Sequence, residues 1–296
     1  MAEPASMASS RASAATSVLR AMRLVLHLGY ALFLAVFYPW MNERVQVRIM
    51  KRWSRQLLAI FNIGIQIEGQ QPLRSERGCM LVANHISWLD IFVLNAICPA
   101  RFIAKGEVRR WPVIGWLCKR SGTIFIERAM RRDAARVNRI VGSLLKQGTC
   151  VGLFPEGTTT DGTRVEHFHS SLLQPVIDTH AALRPVALRY FDADGFASTA
   201  AAFTDDTTLL ASIWRILRYR QLNAMVGFTA VIPATLGNRR VMAQAAREAV
   251  AQALQHTGMP RHAIKSPSIP DARPALLASQ SAYALLVSAA IEPVRK

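Results

Sequence analysis

Seven consecutive residues, Asn84-His85-Ile86-Ser87-Trp88-Leu89-Asp90, set an imidazole and a carboxylate five positions apart. In an unbroken helix these side chains would point about 140° apart, since each residue turns the helix by roughly 100°. They meet only if His85 precedes the helix, at the end of the apolar run Cys79-Met80-Leu81-Val82-Ala83, with Asp90 in the first turn. Ser87, a good N-cap, supplies the break. The carboxylate can then hold one ring nitrogen while the other takes a proton from a hydroxyl. If that hydroxyl itself attacks, no Ser or Cys nucleophile is required. Ser87-x-x-Asp90 is also a capping box, a role that asks nothing of His85.

Two further segments carry polar groups at strand ends. Phe154-Pro155-Glu156-Gly157-Thr158-Thr159-Thr160-Asp161-Gly162 follows the buried-strand pattern Cys150-Val151-Gly152-Leu153. Its Pro and Gly force a turn, presenting amide N–H groups and hydroxyls to an oxyanion, and Glu156 can accept hydrogen bonds from polyol hydroxyls. An ordinary Gly/Thr turn explains the same residues. Gly122-Thr123-Ile124-Phe125-Ile126-Glu127-Arg128 ends a strand in Arg128, and Lys105 ends Arg101-Phe102-Ile103-Ala104. A guanidinium suits bidentate phosphate contact. With 36 basic residues in the chain, solvation is the simpler fate of any one of them.

These residues need a scaffold that collects strand ends. Apolar or β-branched runs at 63–68, 79–83, 101–104, 122–127, 150–154, 184–190 and 224–232 alternate with helical patterns at 87–97, 107–119, 131–147, 170–181, 208–218 and 238–256. That alternation predicts an α/β sheet with helices on its faces. The domain occupies 62–258. It follows a disordered Ala/Ser-rich leader at 1–17 and a membrane-associated helical segment at 18–61, and precedes a Pro-containing linker and apolar tail at 259–296.

Leu24 to Trp40 carries no formal charge, at the short limit for a spanning helix. Basic residues flank it on both sides, which suits helices half-sunk in a cytoplasmic leaflet. In 42–61 the stripe Val45, Ile49, Trp53, Leu57 and Ile60 or Phe61 faces either lipid or the protein core. In 208–218 Leu209, Leu210, Ile213, Trp214 and Leu217 share a face beside Arg215, Arg218 and Arg220, with the same two readings.

A net charge of +17 favours an anionic partner: a phospholipid surface, nucleic acid, coenzyme A or an acidic carrier protein. The apolar N-terminus selects membrane, and no zinc-finger or RNP-like pattern supports nucleic acid. The four cysteines, Cys79, Cys98, Cys118 and Cys150, lie far apart without a Cys-x-x-Cys pair. They read as buried thiols in a reducing compartment, not as a metal or disulfide set.

Taken in order, the motifs resemble those of the lysophospholipid acyltransferase superfamily: NHISWLD the first, GTIFIER the second, FPEGT the third, and Arg184-Pro185-Val186-Ala187-Leu188-Arg189, loosely, the fourth. The resemblance covers roughly residues 60–190 and implies a mixed central sheet flanked by helices. It implies His85 as general base, Asp90 as its orienting partner, and Arg128, Glu156, Gly157 and Thr158 at the acceptor head group. Lys105 would stabilise negative charge on phosphate or on the tetrahedral intermediate.

The donor implied is acyl-CoA or acyl carrier protein, with no other cofactor and no metal. The acceptor implied is a lysolipid at the inner membrane, met from the cytoplasmic side. In phosphatidate-forming members the third motif often continues with Arg where Thr159 stands here. The form Thr159-Thr160-Asp161-Gly162 resembles a lyso-ornithine-lipid branch, so both acceptors stay open. A silent lipid-binding scaffold on the same fold, a hydrolase activating water and a basic nucleic-acid binder are the competing readings.

Overall fold

Strand β2 (Cys79–Ala83) is buried along its whole length. Cys79, Leu81 and Ala83 enter one hydrophobic cluster, and Met80 and Val82 enter a second on the opposite face. That two-residue period, apolar on both sides, is how a strand reads when helices cover both faces of its sheet. The computed structural model of the chain describes residues 11–72, 78–127, 131–204 and 207–256. The predicted linker and tail at 259–296 lie outside them.

Among the described residues seven strands form one sheet in the order β1 (Ile63–Glu68), β7 (Leu222–Phe228), β6 (Ala182–Phe191), β2, β5 (Val151–Leu153), β3 (Arg101–Lys105), β4 (Ile124–Ile126). All neighbours are parallel except β6 and β7, so the sheet is mixed, as the resemblance implied. Because β6, β2, β5, β3 and β4 run the same way, their carboxyl ends share one edge. In open α/β sheets ligands bind outside that edge.

One face of the sheet is covered by α1 (Ala14–Phe37), α2 (Glu43–Ile60), α3 (Leu89–Ile97) and α7 (Leu209–Leu217), which add Leu24, Leu57, Val93 and Ile216 to the cluster of Leu81 and Leu188. The other is covered by α5 (Arg131–Lys146), α6 (Gln174–Thr179) and α8 (Arg239–His256), which bring Val137, Val176 and Met242 against Met80 and Leu183. The short α4 (Ile114–Arg120) follows a 3-10 turn after β3.

The structure corrects the N-terminal boundaries. Helix α1 begins at Ala14, inside the predicted leader, because the Ser13 hydroxyl accepts the Thr16 N–H at 3.1 Å and caps it. Arg20 then ties α1 to the end of α7, donating to the carbonyls of Leu217, Tyr219 and Arg220.

The stripe on α2 faces the core: Leu57, Ile60 and Phe61 are buried. Two of its basic residues are also engaged internally, Lys51 donating to the Ile97 carbonyl and Arg55 to that of Ala96 at the end of α3. Helix α1 differs, with Val25, Leu26 and Phe33 turned outward, and its apolar stretch is long enough to cross a membrane by length and composition. Helix α7 divides its face: Ile216 and Leu217 are buried, while Leu210 and Trp214 are exposed.

Candidate active site

β2 ends in a side chain that imitates backbone. Strand pairing with β6 stops at Ala83↔Val186. The Asn84 amide then replaces the next backbone unit, donating to the Leu188 carbonyl (2.9 Å) and accepting the Leu188 N–H (2.8 Å). The main chain is thereby free to turn away at His85 while the backbone N–H and carbonyl of Leu188 keep a partner.

His85 and Asp90 meet there. His85 Nδ1 lies 2.9 Å from Asp90 Oδ2, and the same oxygen accepts the N–H groups of Ile86 (2.7 Å) and Ser87 (2.8 Å). The Ser87 contact is the reach-back half of a capping box. One carboxylate therefore caps the turn and holds the imidazole, so the two readings of this spacing coexist. The cap differs in detail from the expectation: α3 starts after Trp88, and the Ser87 hydroxyl accepts the Leu89 N–H at 3.3 Å.

The other oxygen, Asp90 Oδ1, accepts from the Tyr190 hydroxyl at 2.7 Å. Burial, with the carboxylate beside it, pushes the Tyr190 phenol well above its usual range and keeps it a donor. Asp90 is inaccessible to solvent, whereas the His85 side chain is 18% exposed. With three other donors already on the carboxylate, Nδ1–H is the fourth in the matching tautomer, which leaves Nε2 as the nitrogen able to accept a proton.

The loop after β5 wraps this turn. Phe154 stacks on the imidazole (centroids 3.9 Å apart, 9° between planes) and on Phe102 behind it (5.5 Å, 16°). A Cβ at Gly152 would lie 2.3 Å from the Phe102 ring, so that stack requires glycine. Glu156 accepts the His85 N–H at 2.8 Å and the Glu166 N–H at 2.9 Å, one on each oxygen. Thr160 N–H donates to the His85 carbonyl at 2.8 Å. Gly157 makes the turn with φ near +80° and donates to the Phe154 carbonyl at 3.2 Å.

Glu156 is buried, and both oxygens are engaged by backbone, one of them by the His85 N–H. Burial pushes its carboxyl up to about 7, against the pull of those two N–H donors.

A sequence model of the Acyltransferase family matches residues 64–189. The 1-acyl-sn-glycerol-3-phosphate acyltransferase of Neisseria meningitidis serogroup B is 38% identical over 61% of this chain and 70% of its own length. The lyso-ornithine lipid O-acyltransferase of Pseudomonas aeruginosa is 34% identical over 72% of this chain and 81% of its own. The chain belongs to the acyltransferase family.

The fold is that of the 1-acyl-sn-glycerophosphate acyltransferase PlsC from Thermotoga maritima, with TM-score 0.57 and 19% identity over 80% of this chain and 97% of that one. The chain is an O-acyltransferase.

Lys105 and Thr158 of this acyltransferase sit on the same edge but outside the His85–Asp90 network. Lys105 closes β3 opposite Ile126 of β4, exposed to solvent. Thr158 is exposed on the loop after Gly157. No hydrogen bond or ion pair among the described residues joins either to His85. Arg128 lies outside the described residues.

Tyr190 of the acyltransferase site escaped the sequence reading, and Asn84 and Phe154 stood in its motifs without a role. Asn84 had a local signal, an amide side chain at the end of an apolar strand. Tyr190 had none, because its partner is 100 residues away.

Proposed function

We propose that this acyltransferase moves a fatty acyl group from acyl-CoA or acyl carrier protein to the free hydroxyl of 1-acyl-sn-glycerol-3-phosphate, giving phosphatidic acid. The observation that carries the mechanism is His85: Asp90 holds Nδ1, and Nε2 meets no hydrogen-bond partner among the described residues at a partly exposed edge. The acceptor hydroxyl gives its proton to Nε2 as its oxygen attacks the thioester carbonyl. A C–O bond forms, the C–S bond breaks, and the thiolate leaves with the proton that His85 returns. No acyl-enzyme is needed.

Lys105 at the end of β3, with Gly157, Thr158 and Arg128, supplies the groups for the acceptor's negative charge. Membrane placement is supported by the outward apolar face of α1 and by a cluster in which Arg120 lies 5.3 Å from the Trp40 ring and 5.6 Å from that of Trp116. Tryptophans beside a cation suit the lipid–water interface. Our reading is association with the cytoplasmic face of the inner membrane.

One observation favours a second acceptor, lyso-ornithine lipid. Thr159, where many phosphatidate-forming members carry Arg, donates its hydroxyl to the Phe203 carbonyl and serves as an internal tie.

The test gives the purified chain a labelled acyl thioester with each lysolipid, beside His85→Ala. Loss of a general base costs about 10²–10⁴ in rate. Phosphatidic acid from wild type and none from His85→Ala supports the proposal. Product from ornithine lipid alone reassigns the acceptor, and full activity in His85→Ala ends the mechanism.

A further inference from the structure

Three of the four cysteines, distant in sequence, converge at the edge of the sheet opposite His85. Cys79 opens β2. The parallel register Met80↔Val151 sets Cys150, just before β5, alongside it. Cys98 arrives from the covering layer as the C-cap of α3, fixed by its N–H donating to the Leu94 carbonyl at 2.8 Å. The three Sγ atoms all lie within 4.8 Å of one another, and those of Cys79 and Cys150 are 2.9 Å apart. Cys79 is buried, while Cys98 and Cys150 are half-buried and give the cluster a way in from solvent.

Lys51 is held beside Cys98, donating to the carbonyl of the preceding Ile97.

We propose that Cys79, Cys98 and Cys150 form a three-thiolate site for a thiophilic d10 metal ion, Cu(I) or Zn(II). Thiolates select these ions over hard cations. A metal–sulfur bond of about 2.3 Å puts the sulfurs of a trigonal site about 4 Å apart, so on binding the 2.9 Å separation of Cys79 and Cys150 opens by about 1 Å. Among the described residues no His, Asp or Glu joins the group, so the site holds three protein ligands and leaves any fourth position to water. A disulfide between Cys79 and Cys150 would need a 2.03–2.05 Å bond and would leave the third thiol without a role. Binding releases the thiol protons and ties β2, β5 and α3 together at the end remote from the chemistry.

The full chain, purified reduced and metal-free under argon, is titrated with Zn(II) and separately with Cu(I), each against a chromophoric chelator. One ion per chain, with sulfur neighbours near 2.3 Å by X-ray absorption, is the expected result. The tighter-bound of the two identifies the ion. Cys98→Ser and Cys150→Ser, checked for fold by circular dichroism, should each weaken binding beyond the ~10–100-fold typical of outer-shell changes. Cys118→Ser should bind as wild type. The proposal fails if neither ion binds stoichiometrically, if binding survives both substitutions, or if thiol counting on protein isolated without reductant finds Cys79 and Cys150 already joined.

Discussion

At their carboxyl ends β2 and β5 run into oxygen and nitrogen: the Asn84 amide, the Asp90 carboxylate with its four donors, and Glu156 clamped between two backbone N–H groups. At their amino ends the same strands start from sulfur, with Cys79 and Cys150 facing each other and Cys98. The first end is over-determined. His85 is held through its ring, its N–H and its carbonyl, so its geometry depends on no ligand. The second end is held by backbone register alone, and its soft side chains have chiefly one another. One sheet thus offers a rigid end suited to proton transfer and a softer end suited to capturing an ion.

Substitutions at the two ends should therefore read out differently. The largest effect is expected at Asp90. Asp90→Asn sets an amide against donors and releases the tautomer of His85, and kcat should fall by about 10²–10⁴. Single-turnover assays with saturating acceptor measure it, and a loss under tenfold would show that the carboxylate is only a cap.

Tyr190→Phe removes one of four donors from a buried carboxylate. It should lower stability by about 1.5–3 kcal/mol, the range for hydrogen bonds to charged groups, with a smaller loss in kcat than Asp90→Asn. Denaturant melts beside kinetics separate the two.

Glu156→Gln tests the clamp through pH. A carboxyl raised from 4.5 to about 7 by burial binds its proton more tightly folded than unfolded. Its stabilising contribution is complete below pH 4.5 and is lost as pH rises through about 7. The stability difference between wild type and Glu156→Gln should shift against wild type across that window, and a flat difference would mean the two N–H donors keep Glu156 charged. The smallest effect belongs to the sulfur end: in metal-free protein Cys98→Ser should leave kcat unchanged and stability within about 0.5 kcal/mol. A large drop in kcat there would join the two ends that the comparison separates.

Legibility followed the range of the interactions. His85 and Asp90 are five residues apart, so an N-capped turn after an apolar strand sufficed to bring them together on paper. The strands announced themselves because burial on both faces leaves unbroken apolar runs such as Cys79 to Ala83. Glu156 was found, but its contacts were not: the N–H groups of His85 and Glu166 that close on it come from segments a local reading does not join. Tyr190 and the cysteine cluster were hidden for one reason. Both depend on which strands lie side by side, and sheet order leaves no trace in local composition. The stripes on α2 and α7 were ambiguous because core and lipid select the same side chains, and only the fold turned Leu57 inward and left Trp214 half in solvent.

The sheet order also governs the sequence of events as the chain is made. β1 sits at one edge, and its partner is β7, Ile63 lying against Leu222. At roughly 5–20 residues per second a ribosome needs on the order of 8–30 s to cover that interval. Throughout it the apolar α1 and the strand edge of Ile63 and Ile65 have emerged, while the segment that closes the sheet does not yet exist. Nascent chains stopped short of Leu222 should bind chaperones or membrane, and release should come only once Phe228 has cleared the exit tunnel.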